Sequence, residues 1–399
     1  MKKRYGLGCI LLVGLAVVGW ACGFLFVGIF AEVLMNEPPA TGHFISEFVP
    51  NGDALYFGAG QRLYRLNTLD NSLDQIVCRE GWLFGRPAVT EAGVVVQLEQ
   101  NFRGTEIIGL VNPQTSSFTW EVTGTQGIVR NSDETFAVSG RAVVGYWGKS
   151  EMAGLESYDL TTGRLLWKTE PDELPLIPGA IFENDRLWYR VQTAGDSSDE
   201  ISTQLASVDL ETGEVDLLLG RSDRILEELL WVDEQWLILL ERREGQARYF
   251  AVRRNQPDVV AWENDWKASV DSGAWGVMRE GDYLIMATGG GVSALRINDG
   301  TSAWHVDEKS AVSGKAVHPD KIFLFEGQGP AVAREVWAVD VVSGEVIWKR
   351  PENIWTTFLI YQGRVYVNDL LAVEVWNLQT GDLIVRIPVD SAYQYYEDD

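Results

Sequence analysis

Cysteine, histidine and positive charge are all scarce in this chain. Of its 399 residues only three are cysteines, Cys9, Cys22 and Cys78. The first two lie in an apolar N-terminal run, so Cys78 stands alone in the remainder and no disulfide can form within it. On an outer strand such a cysteine is expected to be a small buried apolar residue. The three histidines, His43, His305 and His318, lack metal-ligand spacing, which argues against a zinc or non-haem iron centre. Lys and Arg total 33 against 57 Asp and Glu, a net charge of −24. That surface repels phosphate backbones and excludes nucleic acid as a partner. Solubility alone accounts for the charge.

Catalytic signatures are missing as well. The sequence contains no Gly-x-Ser-x-Gly elbow, phosphate loop, His-Glu-x-x-His or dinucleotide fingerprint. Gly289, Gly290 and Gly291 fall between two strand runs and read as a turn. Asp196, Asp199 and Glu200 lack the ordered ligand pattern of a calcium loop and read as a solvated loop. Helical periodicity is absent from the part after the apolar run, apart from the ambiguous residues 225–230.

What the chain does have is a repeated phrase. Asp159, Thr162, Gly163 and Trp167 recur as Asp340, Ser343, Gly344 and Trp348. Gly300 and Trp304 follow the same spacing. Asp209 with Gly213, and Asn377 with Gly381, keep the turn but carry aliphatic Leu217 and Val385 where the Trp stood. Weaker copies end at Trp120, Trp262 and Gln75. The turn positions are Asn71, Ser116, Gly163, Gly213, Asp258, Gly300, Gly344 and Gly381, in steps of roughly 44 residues, which suits four short strands with their turns. The Gly supplies φ > 0, and the Asp or Asn four residues earlier holds the bend by bonding nearby backbone N–H groups. The Trp is expected on the outer strand, where its ring can dock on the neighbouring unit. This predicts an all-β, eight-bladed propeller of four-stranded antiparallel blades. The first and last units each hold four strands, so no strand exchange is expected at closure.

These copies resemble the tryptophan-docking motif of the pyrroloquinoline-quinone-type β-propellers, over roughly residues 43–389. Relatives with eight such blades include quinoprotein dehydrogenases and, of similar size to this chain, the propeller lipoprotein of the outer-membrane β-barrel assembly machinery. The dehydrogenases imply a quinone stacked between a Trp and a disulfide of adjacent cysteines, calcium held by acidic and amide side chains, and an Asp base. No adjacent cysteine pair exists here and no acid matches the base, so the reading is no cofactor, no metal and no catalytic residue. Shared scaffolds do not fix function.

The N-terminus bears on location. Residues 1–4 carry Lys2, Lys3 and Arg4, and residues 5–31 are uncharged. A run longer than about 20 apolar residues suits a membrane span. Basic residues before it favour a cytoplasmic N-terminus and an exported remainder. The expected layout is therefore a cytoplasmic segment 1–4, a transmembrane signal anchor 5–35, a linker 36–42, the propeller 43–389 and an acidic tail 390–399. A cleaved or lipid-attached leader at Cys22 is the alternative. Gly19 and Gly23 are spaced for helix contact, but a homo-oligomer is not indicated.

Together these features predict a single-pass cell-membrane protein with its propeller on the extracytoplasmic side. Its expected role is a protein-interaction scaffold in the cell envelope. The alternatives are a quinone-dependent dehydrogenase and an envelope protein that binds a small ligand or polysaccharide. Trp82, Trp275 and Trp355 stand at the starts of inner strands, where they would form a surface at the channel mouth or pack between blades.

Overall fold

The computed structural model describes Ser46 and residues 48–389, apart from segments 101–105, 124–134, 139, 148–151, 170–180, 184, 195–200, 221–224, 244–245, 265–275, 289–290, 308–312, 318–321, 329–333, 353–357 and 370–371. These residues form eight antiparallel sheets in chain order. We number them sheet 1 (49–78), 2 (82–123), 3 (135–168), 4 (181–220), 5 (225–264), 6 (276–307), 7 (313–352) and 8 (358–388). Strands within each sheet follow one another in sequence, so every sheet is built from one contiguous stretch of chain. Residues 225–230 resolve as part of the strand Ile225–Val232.

The expectation of uniform four-stranded blades behind a transmembrane helix is corrected on two counts. Sheet 2 has five strands, because Trp82–Phe84 and Ala88–Thr90 both pair with Gly93–Gln100. Phe84 lies opposite Leu98 and Ala88 opposite Val95, so the inner strand carries one extra residue between those pairs. Pro87 in that gap has no N–H to give to a ladder, and Gly85 N donates instead to Gln97 O at 3.0 Å. Among the described residues, moreover, no helix is long and apolar enough to cross a membrane. Residues 5–35, on which that expectation rested, lie outside the described part.

The strands are apolar on both faces because each sheet is covered on both sides by its neighbours. Leu284, Ile285 and Met286 are buried in sequence along one strand. Leu284 and Met286 join Trp236, Ile238 and Tyr249 of sheet 5, whereas Ile285 joins Trp337 and Val339 of sheet 7. Last meets first in the same way. Phe57 and Tyr64 of sheet 1 pack with Tyr366, Val373 and Val375 of sheet 8. Among the described residues no strand is exchanged at this closure.

Candidate interaction surface

The repeated turn is built from backbone upward. Asp159 Oδ1 accepts from Thr161 N at 3.0 Å, Thr162 N at 2.8 Å and Thr162 Oγ1 at 2.8 Å, while Gly163 N donates to Asp159 O at 2.8 Å. Asp209 and Asp340 repeat this with Glu211 and Thr212, and with Val342 and Ser343. Asn377 does so without charge, accepting from Gln379 N and Thr380 N. Hydrogen bonds to the ionised form, led by Thr162 at Asp159 and Thr212 at Asp209, hold both carboxyls below the usual carboxylate range. Sheet 6 has Arg296 at this position, and Asp299 takes over by accepting from Thr301 N and Oγ1.

Each Trp of the repeat reaches the turn of the next sheet. Trp120 Nε1 donates to Leu160 O at 2.8 Å, Trp167 to Leu210 O at 3.2 Å and Trp262 to Ile297 O at 2.8 Å. Trp304 bonds Val341 O at 2.7 Å and Trp348 bonds Leu378 O at 2.8 Å. The ring then lies flat against the turn glycine. A Cβ on Gly163 would meet Trp120 Cδ2 at 2.7 Å, and one on Gly344 would meet Trp304 Cδ2 at 2.8 Å. Gly213, Gly300 and Gly381 stand in the same relation to Trp167, Trp262 and Trp348. Glycine is thus required twice, for a positive φ (73° at Gly344) and for the missing side chain.

That pairing explains the weaker copies. The turns without glycine belong to sheets 1, 2 and 5, and the sheets before them, 8, 1 and 4, have no docking Trp. Asn71 and Ser116 still adopt φ of 60° and 53°, with no indole above them. Sheet 5 departs further. Its hairpin turns at Arg254 and Asn255, so Asp258 sits inside the strand Gln256–Asn264 rather than at the turn. Pro257 and a register break there loosen the first part of that strand.

A second element of the motif has no counterpart in the sequence reading. Every outer strand carries a β-bulge, and in the five Trp-bearing strands it falls immediately before the Trp, as at Leu166 and Ile347. The extra residue re-aims the next side chain toward the neighbouring sheet. In sheet 4 the shift comes later, at Leu218. Leu217, which by count should occupy the Trp position, is therefore 61% exposed, while Leu218 packs against the core shared by sheets 4 and 5. In sheet 8 the bulge keeps its place, and Val385 fills the Trp position against sheet 1.

Of the three tryptophans expected at the channel mouth, Trp275 and Trp355 lie outside the described residues. Trp82 is half-buried, packed on the core between sheets 1 and 2, with the Arg79 guanidinium 5.1 Å from its ring centre. Cys78 is free but exposed, contrary to expectation, because it ends an outer strand.

Two buried carboxylates are committed to the scaffold. Glu156 accepts from Tyr158 OH at 2.5 Å and from Lys168 Nζ at 2.7 Å. Burial first, and this carboxylate second, push the Tyr158 hydroxyl above its ordinary value. Glu374 in sheet 8 likewise accepts from Trp376 Nε1 and Arg386 Nη1.

Exposed large apolar side chains are unevenly spread. Leu165, Leu217 and Val259 are single residues on sheets 3, 4 and 5, which is ordinary for a protein surface. On sheets 7 and 8 they come in adjacent pairs at the same place in each outer strand. These are Val346 and Ile347 (38% and 41% exposed) and Leu383 and Ile384 (45% and 47%). Val342 in the turn of sheet 7 and Leu69 in the turn of sheet 1 are exposed beside them in the order of sheets.

Comparison with solved structures agrees with this architecture. The computationally designed protein Ika8 superposes with a TM-score of 0.61 over 84% of this chain and 98% of its own, at 12% identity. BamB from Moraxella catarrhalis gives 0.52 over 76% and 85%, at 15% identity. AztD from Citrobacter koseri, in its apo form, gives 0.51 over 84% and 95%, at 14% identity. No family model and no curated protein matches the sequence. The chain is an all-β propeller, similar in fold to BamB and AztD.

Proposed function

We propose that this protein is an interaction scaffold that binds another protein through the outer edges of sheets 7 and 8. The observation that carries this reading is the doubled aliphatic pair, Val346 with Ile347 and Leu383 with Ile384, exposed on neighbouring outer strands. An outer strand offers unpaired backbone groups, and aliphatic side chains beside them add apolar contact for a partner strand or loop. The propeller likeness to BamB and AztD supports a scaffold in general terms. Kinship with the quinone-type propellers is part of the proposal and rests on the copies at Asp159, Gly163 and Trp167 and at Asp340, Gly344 and Trp348. Work at a membrane, on its extracytoplasmic side, is likewise proposed from the basic residues 1–4 and uncharged residues 5–31 alone.

A crosslinked pull-down from the native source tests the surface. Ile347→Asp and Ile384→Asp should each lower partner recovery about tenfold, equivalent to roughly 1.4 kcal/mol of binding. Both positions are exposed, so the melting temperature should stay within a few degrees of the parent. Undiminished recovery by both variants would remove this surface from consideration.

A further inference from the structure

Tryptophan docking joins sheet 2 to 3, 3 to 4, 5 to 6, 6 to 7 and 7 to 8. Among the described residues it is missing at three junctions, 8 to 1, 1 to 2 and 4 to 5; an arginine crosses each of them, as one also does at the docked junctions 3 to 4, 5 to 6 and 7 to 8. Arg364 of sheet 8 donates to Thr68 O at 3.0 Å and Asn71 Oδ1 at 3.3 Å in sheet 1. Around it, Tyr361 OH donates to Gly52 O at 2.5 Å and Thr68 Oγ1 to Gln362 Oε1 at 2.9 Å. Arg79, at the end of sheet 1, pairs with Glu121 of sheet 2 and lies 5.4 Å from the ring centre of Phe118. Arg254 of sheet 5 pairs with Glu183 of sheet 4 at 2.8 Å and lies 4.7 Å from the Trp188 ring centre.

We propose that sheet 1 is a movable keystone, the one described sheet with no docked tryptophan of the repeat on either side. The docked junctions divide the propeller into two locked runs, sheets 2 to 4 and sheets 5 to 8, and sheet 1 belongs to neither. Its apolar faces are covered, but its turns on the side of sheet 8 and the end of its outer strand on the side of sheet 2 are held by polar clasps. Solvent competes for such hydrogen bonds and ion pairs, whereas it cannot replace a docked indole. Sheet 1 therefore loosens from both neighbours without breaking any tryptophan-to-turn contact of the repeat, a conformational device set by where those docked tryptophans fall.

Hydrogen exchange on the full chain tests this. In the parent protein, central-strand amides of sheet 1 (54–59 and 62–67) should exchange at least about tenfold faster than those of sheets 6 and 7 (284–286 and 336–339). Arg79→Gln and Arg364→Gln should speed sheet 1 further and leave sheets 6 and 7 unchanged. The proposal is overturned if sheet 1 exchanges in step with sheets 6 and 7 in the parent. Equal acceleration of all sheets by both substitutions overturns it too. The parent measurement decides the matter even if a variant fails to fold.

Discussion

A glycine and a tryptophan that lie four residues apart in the repeat do not serve each other. Gly344 receives Trp304 from the preceding sheet, and Trp348 moves on to Gly381 in the next. Gly344→Ala should cost about 1–2 kcal/mol from the positive φ alone, and more with the indole in place. In a Trp304→Ala background the added part should vanish, and a double-mutant cycle on chemical denaturation measures the difference. At Ser116, where no indole lies above the turn, Ser116→Gly should be neutral or stabilising by up to about 1 kcal/mol. Charge at the turn makes a separate prediction. Asp159 and Asp209 have folded pKa values below their unfolded ones. Their contribution is full above the unfolded value near 4 and is lost as pH falls through the lower folded value. Asp159→Asn keeps the acceptor, as Asn377 does naturally, and should flatten the acid limb of a stability profile while changing little at pH 7. A variant as acid-sensitive as the parent would count against the turn carboxylate.

At the level of the strand, most of the repeat was legible in the sequence because its chemistry is local. A turn that needs an Asx oxygen and a positive φ declares itself through Asp159 and Gly163, and the indole contrasts with the short residues around it. Three things were not legible. The bulge before the Trp is an event in backbone register, and its residues, Thr119, Leu166, Ala261, Ala303 and Ile347, run from polar to aliphatic and from small to large, so no side chain marks it. The hairpin at Arg254 and Asn255 was hidden because counting from Trp262 put the turn at Asp258. The break in the inner strand of sheet 2 had a signal in Gly85 and Pro87, which the frame of four strands per unit overrode. The shifted bulge in sheet 4 gives a direct test. Leu217→Asp should move the unfolding midpoint by less than about 0.5 kcal/mol equivalent, whereas Leu218→Ala should cost more, about 1 kcal/mol or above. The reverse order would restore Leu217 to the docking position that simple counting assigns it. The candidate surface was the least legible part. Val346, Ile347, Leu383 and Ile384 look in sequence like any strand core, and only their place on an outer edge makes them exposed.

For the whole molecule, contiguity of each sheet in sequence is the organising fact. Because no strand is exchanged at closure among the described residues, sheets 8 and 1 are joined there by side-chain packing and the clasp of Arg364 rather than by a shared ladder. A circular permutant that links 388 to 49 and opens the chain within 221–224 should therefore fold, with the far-ultraviolet spectrum of the parent. The same permutant should retain the exposed pairs on sheets 7 and 8, since neither sheet is cut. Failure of the permutant to fold would mean that closure depends on the order of synthesis. That order has its own consequence for the face of sheet 1 that carries Phe48, Leu55, Phe57 and Tyr64. Its covering residues, Tyr366, Val373 and Val375, leave the ribosome about 300 residues later, some 15 to 60 s at ordinary rates of translation. Through that interval the nascent chain carries an uncovered aromatic face, and a chaperone or the partner itself has time to hold it until the last sheet arrives.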